Sequence, residues 1–412
     1  MAAAFSRDFS PTAAPRRGAA PPPTACPRRR SPHSLTTAPR RHPAPTPNGI
    51  PAPAAQSRTA PKPWCREAGE WRLVYCGAMN APARLERGRI ETLLGGCAGK
   101  RVLVLGDMVA DEYIIGRPSR LSREAPIPVL EWVDRYIVPG GATNLARNCR
   151  ALGAAVAVCG VIGADEPGRA LAACLIKEGI ATGGLTVEEG RPTATATRVI
   201  GGGSQIVSQQ IARIDRVVRA AIGAAARARI VAYLERAIPL HDALVVSDYE
   251  HGVIGQAIIA AALPLARAHG LIITVDAHGD LGRFVGITIA TPNQDEAAAS
   301  LGRVLTTDEE VRHAGHDLAS QMAARAVLIT RGSEGMTLVE GAGPWLHLPT
   351  AAPTEVRDAT GAGDTVSAVV TLALCAGATL SEAAQLANLA AGIVVRRLGA
   401  ATVTLEALLA AV

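Results

Sequence analysis

The sequence predicts an α/β fold: a mostly parallel sheet covered by helices on both faces, with a small β lid. Three observations predict it. From Lys100 onward, short continuous apolar runs alternate with Ala-rich helical segments, the rhythm of strand, helix, strand units. Gly, Asp and Pro punctuate the ends of those runs, as strand-to-loop junctions do. Shorter β-rich pieces interrupt the rhythm near 112–138 and 190–200, which sets them apart as the lid.

Each element has its own warrant. Runs 101–106, 155–161, 243–247, 271–275 and 326–330 are apolar without alternation, so they read as strands buried on both faces. Segments 166–178, 255–268 and 308–323 read as the covering helices, and 84–91 as a helix opening the folded domain. Pieces 112–115, 127–133 and 193–200 read as lid strands, with Pro126 and Pro128 pointing to a sheet edge. Sites in such folds lie beyond the carboxyl ends of the strands, where Asp107, Asp248, Asp276 and Arg331 fall.

The chain has 412 residues, 48% hydrophobic but only 3% aromatic, so aliphatic side chains must fill the core. The net charge of +6 is misleading, because residues 1–66 hold ten Arg and one Lys against Asp8 alone. That segment carries +10 and leaves −4 for the rest, which gives no reason to expect a nucleic-acid surface on the folded part. Residues 1–78, rich in Pro, Arg and Ala without hydrophobic periodicity, are expected to be a disordered extension preceding a domain at 79–412. Either Met79 is the true start or the extension is an organelle transit peptide; the former implies a cytoplasmic protein. The eight cysteines form no CxxC pair and read as reduced thiols. No apolar run approaches the ~20 residues that span a bilayer. The chain is expected to end with its last helix, without a further module.

The stretch Arg357-Asp358-Ala359-Thr360-Gly361-Ala362-Gly363-Asp364-Thr365 precedes an apolar helical run. Glycines at 361 and 363 let amides turn toward one point at the positive end of the helix, which makes an anion cradle. Asp364 at its mouth suits a base that takes a proton from a hydroxyl while the amides of Gly361, Ala362 and Gly363 hold a phosphoryl group. A glycine turn capping a buried helix is the structural alternative.

Other motifs carry similar pairs of readings. Asp107 and Asp111, just after the first strand, suit sugar hydroxyls or a capped turn. Gly140 and Gly141 open a helix where backbone approaches a small ligand and Asn144 offers a donor and an acceptor, or simply start a helix. Arg120, Arg123 and Arg213 read alone as surface cations. Asn293 and Glu296 suit the phosphate and metal end of a nucleotide, or a helix-opening turn. Thr330, Gly332 and Gly335 form a glycine turn after a strand, suited to close approach by a nucleotide or to a hairpin.

Thr360-Gly361-Ala362-Gly363-Asp364-Thr365 resembles the C-terminal signature of the ribokinase-like (PfkB) carbohydrate kinases, and the resemblance extends over about 98–405. It implies a three-layer α/β/α fold, ATP with Mg²⁺, Asp364 as catalytic base and residues 361–363 as anion hole. It further implies Asp107, Asp111, Gly140, Gly141 and Asn144 on the sugar, and Asn293, Glu296, Thr330, Gly332, Gly335 and Asn388 on the nucleotide. Glu296 would meet Mg²⁺ through water. A narrower resemblance, at 116–129 (with Arg120-Leu121-Ser122-Arg123-Glu124-Ala125-Pro126) and at Gln209-Gln210-Ile211-Ala212-Arg213-Ile214-Asp215, is to D-glycero-β-D-manno-heptose 7-phosphate kinases. It implies Arg123, Gln210, Arg213 and Asp248 on a sugar phosphate. The motifs Ser247-Asp248-Tyr249-Glu250-His251-Gly252 and Val275-Asp276-Ala277-His278-Gly279 carry His where those kinases usually carry Lys. That departure implies phosphate binding strengthened at pH 6, or a changed substrate. A homodimer through the lid is also expected.

Overall fold

The computed structural model describes residues 64–67, 70–73, 85–203, 206–351, 356–397 and 399–411. Strands β1 (Trp64–Glu67) and β2 (Glu70–Leu73) pair antiparallel in a small unit of their own, so the extension holds a hairpin where disorder was expected. Glu70-Trp71-Arg72-Leu73 alternates polar and apolar residues as a strand does, a local signal masked by the surrounding Pro-rich composition. The rest of the extension lies outside the described residues.

In the main unit, α1 (Arg87–Gly95) and β3 (Arg101–Gly106) lead into the long strands β4 (Met108–Leu121) and β5 (Pro128–Gly141). There follow α2 (Ala142–Ala151), β6 (Ala155–Gly163), α3 (Glu166–Lys177), β7 (Ala181–Glu188), β8 (Ala194–Gly203) and β9 (Ile206–Arg216). The succession α4 (Ala224–Ala237), β10 (Ala243–Asp248), α5 (Gln256–Ala268), β11 (Ile272–Ala277), β12 (Ile289–Ala290), α6 (Gln294–Leu301) and α7 (Asp308–Gln321) continues it. The unit closes with β13 (Ala326–Thr330), β14 (Met336–Val339), β15 (Trp345–Leu348), α8 (Ala362–Cys375), α9 (Leu380–Val394) and α10 (Leu405–Ala410).

The main sheet runs β15-β14-β13-β12-β11-β10-β3-β6-β7, parallel from β13 to β7 with antiparallel β14 and β15 at one edge. Alternation along β3 shows the layers: Val102 and Val104 join a core built with α2, α8 and α9, while Leu103 and Leu105 join one built with α4, α5 and α7. Both faces of the strand are apolar because both are buried. This is the three-layer α/β/α arrangement.

A second sheet, β5-β4-β8-β9, forms the lid, with β4 and β8 parallel and the other pairs antiparallel. It is larger than the short pieces expected. Strand β9 falls where only a polar motif was read, because a lid strand with little buried surface needs no apolar run. β7, β12, β14 and β15 were likewise not predicted; the last three are only two to four residues long.

Helix α8 is apolar almost all round and buried from Asp364 to Ala373. Such a helix must lie inside the molecule. Its few polar side chains stitch it in place: Thr371 Oγ1 donates to Thr274 Oγ1 on β11 (2.7 Å), and Thr365 Oγ1 donates to Asn148 Oδ1 on α2 (3.0 Å).

Candidate active site

The chain enters α8 through Gly361, whose φ of 78° is the left-handed state that glycine adopts without steric cost. A Cβ there would lie 2.6 Å from Asn144 Nδ2, so the position needs glycine twice over. Asp358 buttresses the turn by accepting from the amides of Thr360 and Gly399, each at 2.9 Å. The Ala362 amide closes the turn on the Ala359 carbonyl (3.2 Å), so it is engaged rather than free as expected. The amides of Gly363 and Asp364 find no backbone acceptor among the described residues. They are the free donors of the helix start.

Asp364 is 5% exposed. Asn144 Nδ2 on α2 donates to its Oδ2 (2.7 Å), and the Tyr249 hydroxyl donates to its Oδ1 (3.0 Å). Burial pushes its carboxyl up to about 7, against those two hydrogen bonds, with Asp111 adding repulsion. Burial and then Asp364 push the Tyr249 phenol well above its ordinary value, so it remains a donor.

Two cavities meet at this carboxylate. One, of about 610 Å³, is lined by Asp111, Gly140, Gly141, Asn144, Arg213 and Asp364 among others. The other, of about 730 Å³, is lined by Asn293, Glu296, Thr330, Gly332, Gly335 and Asn388, together with Gly361, Ala362, Gly363 and Asp364. Tyr249, His278, Gly361 and Asp364 belong to both walls.

In the first cavity, Gly140 is required because a Cβ would lie 2.6 Å from the Asp111 carboxyl carbon. Asp111 pairs with Arg198 Nη1 from β8 at 2.9 Å, both residues being buried. Burial raises its carboxyl and Arg198 opposes that. Gly141, with φ 52°, stands at the N-cap of α2 and turns the chain from lid to helix. Arg213 lines the cavity, its Nε on Asp215 Oδ1 at 2.8 Å.

Four residues expected on the substrate are elsewhere. Asp107 is turned into the protein, where its Oδ2 accepts from the amides of Tyr249 (2.8 Å) and His251 (3.1 Å); it shapes the turn that carries Tyr249. Asp248 pairs with Arg283 and accepts from the Glu250 amide (2.9 Å). Arg123 lies exposed in the connection between β4 and β5, outside the cavity walls. Gln210 is exposed on β9, opposite Ile200 and past the bulge that follows the Val199–Ala212 pair, and lies outside both cavity walls. A carboxylate's position in sequence does not tell which way its loop turns it, and a bulge within a strand is not readable from a polar motif.

In the second cavity, Asn293 and Glu296 form a reciprocal cap on α6, each side chain bonded to the other's amide at 2.8 Å. Glu296 Oε1 also lies 3.1 Å from His278 Nδ1. Asp276, at the end of β11, accepts from Ser367 Oγ (3.1 Å). Burial, then Asp364 and Glu296, push its carboxyl well above the usual range. Asn388 spends its amide on the Pro349 carbonyl (2.8 Å).

Sequence reasoning did not assign Tyr249, Arg198, Asp276 or Arg219 a role in the site. Tyr249 had a signal, its place directly after a buried strand. Arg198, a cation among small and apolar strand residues, also signalled a buried pair. Arg219 had none, since its loop is recognisable only in three dimensions.

Comparison with known proteins agrees with this architecture. The sequence pattern of pfkB family carbohydrate kinases matches residues 100–407. The bifunctional protein HldE of Citrifermentans bemidjiense is 41% identical over 329 residues, covering 80% of this chain and 66% of the relative. That of Caulobacter vibrioides is 42% identical over 309 residues, covering 74% and 62%. The chain thus spans slightly less than two thirds of the length of these relatives. Among solved structures, Arabidopsis thaliana ribokinase complexed with ribose and ATP superposes with a TM-score of 0.58 at 19% identity, covering 76% of this chain and 98% of the other. Escherichia coli phosphofructokinase-2 in complex with potassium superposes with 0.61 at 20% identity, covering 76% and 97%. At such identities the superpositions speak for the fold, and the sequence match speaks for the family. The chain belongs to the pfkB family of carbohydrate kinases.

Proposed function

We propose that this chain transfers the γ-phosphoryl group of ATP to a sugar hydroxyl, with the anomeric hydroxyl of D-glycero-β-D-manno-heptose 7-phosphate as acceptor. The observation that carries the reading is that one buried carboxylate, Asp364, lies on the walls of both large cavities. A hydroxyl held on one side and a phosphate on the other would meet there and at no other acidic side chain lining both. Asp364 takes the hydroxyl proton as the oxygen bonds to the γ-phosphorus, and the bond to the ADP oxygen breaks. The free amides of Gly363 and Asp364 stabilise the phosphoryl charge. Asp111, Gly140, Gly141 and Asn144 orient the sugar; Thr330, Gly332, Gly335 and Asn388 receive the nucleotide.

The residues fit a divalent cation. Burial, then repulsion from Asp364 and Glu296, push the Asp276 carboxyl up, and a cation at these acidic side chains would relieve that. Glu296 and Asp276 would act through waters that Mg²⁺ retains. Bound there, Mg²⁺ would neutralise nucleotide phosphate charge.

The choice of sugar rests on the resemblance at 116–129 and 209–215. Two lids pairing through exposed apolar side chains would make a homodimer. A cytoplasmic setting goes with this reading. Among the described residues no helix is long and apolar enough to cross a membrane.

His251 and His278 favour a second reading, a kinase of the same family for another sugar. Turnover of MgATP by the full chain with heptose 7-phosphate, fructose 6-phosphate, fructose, ribose and adenosine separates the two. The first reading expects selective turnover of the heptose phosphate. Preference for an unphosphorylated sugar would overturn the substrate, and no ADP formation with any acceptor would overturn the transfer.

A further inference from the structure

The sugar-side cavity has five cationic or potentially cationic side chains in its wall: Arg198, Arg213, Arg219, His251 and His278. Most are already committed. Arg198 is neutralised by Asp111 at 2.9 Å and Arg213 by Asp215 at 2.8 Å. His278 lies against Glu296 at 3.1 Å. Burial and Arg219 hold the His251 imidazole below its ordinary value, though Asp107 opposes them. Arg219 is the remaining permanent cation of this wall, and no carboxylate pairs with it among the described residues.

The loop that carries Arg219 is held on both sides of it. Arg191 Nη2 donates to the carbonyls of Val218 (2.8 Å), Ala220 (3.0 Å) and His251 (2.5 Å). The Ile222 amide donates to the Gly252 carbonyl (3.1 Å). Gly252 has φ 82°, and a Cβ there would fall 2.1 Å from the Ala220 carbonyl oxygen, so loop and turn approach as closely as glycine allows. A cation on such a loop loses little backbone freedom on binding.

Its place in the cavity is also informative. From Asp364 the wall passes to Tyr249 through the 3.0 Å hydrogen bond, then to His251, whose ring centre is 6.2 Å from that of Tyr249. Arg191 ties the carbonyls on both sides of Arg219 to that of His251, so the loop bearing Arg219 lies beside His251 on this wall. An acceptor with its reacting hydroxyl at Asp364 would present its far end there.

We infer that Arg219 reads the phosphate of a phosphorylated sugar, supplying the fixed charge that His251 and His278 do not. The inference rests on the kinase reading above and adds to it a residue that sets substrate specificity. A guanidinium is suited to this because it is always charged and offers paired N–H donors to phosphate oxygens.

The test compares wild type, Arg219→Gln and Arg219→Lys with heptose 7-phosphate and with the same heptose lacking phosphate. Arg219→Gln is expected to raise KM for the phosphorylated sugar by about 10- to 100-fold, the loss of a charge-assisted contact. KM for ATP and for the unphosphorylated heptose should stay within about threefold, and Arg219→Lys should fall between. Unchanged KM for the phosphorylated sugar in Arg219→Gln, with wild type still preferring that sugar, overturns the role of Arg219 alone. A wild type indifferent to the phosphate overturns the substrate reading and this inference with it. An equal rise for both sugars would mark a structural role and also overturn it.

Discussion

Asp364 is a base in a setting that opposes its ionisation. Burial raises its carboxyl to about 7, and the hydrogen bonds from Asn144 and Tyr249 recover only part of that loss. Folding is therefore favoured more when the group is protonated, an advantage present at low pH and lost as pH rises through about 7. Catalysis has the opposite sign, because only the ionised form accepts a proton. The sugar kcat/KM should rise by about tenfold per pH unit below 7 and level off above it. A pH–rate profile that instead falls from pH 6 to pH 8 would contradict this and restore the histidines as the controlling cations. For His251 the surroundings work against the latter: burial and Arg219 hold its imidazole below the ordinary value, although Asp107 opposes them. Asp364 and its flanking glycines were legible in the sequence because their roles follow from backbone geometry next to a helix start. Asp107 and Asp248 misled because their loop positions matched those of ligand-binding carboxylates, while Asp107 Oδ2 went to the amides of Tyr249 and His251, and Asp248 to the Glu250 amide and Arg283.

The lid is the element least like its sequence-based expectation. Five parallel strands of the main sheet, β3, β6, β10, β11 and β13, were readable as continuous apolar runs, since both faces are buried; 326–330 agrees to the residue. Lid strands carry no such signature. On β4, β5, β9 and their connection, Leu121 is 72% exposed, Trp132 70% and Ile214 60%, with Ile127, Val133 and Tyr136 also exposed. A concentration of large apolar side chains on one thin sheet marks an interaction surface. If a second lid covers it, Trp132→Glu should shift the protein from dimer to monomer in sedimentation equilibrium. Wild-type protein that is monomeric at tens of micromolar, or a Trp132→Glu protein that stays dimeric, would contradict the pairing.

Across the whole main unit, the sheet and the buried helix α8 bring together residues more than two hundred positions apart, as Asn144 and Asp364 show at 2.7 Å. The sequence offered the parts of both cavities but not their junction, which depends on α8 packing beside α2 and beneath the turn that carries Tyr249. Among the described residues, those of the two cavity walls lie between 109 and 400. On this reading phosphoryl transfer passes through the single carboxylate common to those walls. Single-turnover conversion of ATP to ADP with the sugar phosphate, measured for wild type and Asp364→Asn alongside ATP binding, tests it most directly. The expected result is a rate lowered by about 10²- to 10⁴-fold with ATP affinity nearly unchanged. A variant that transfers at the wild-type rate would show that Asp364 is not the base.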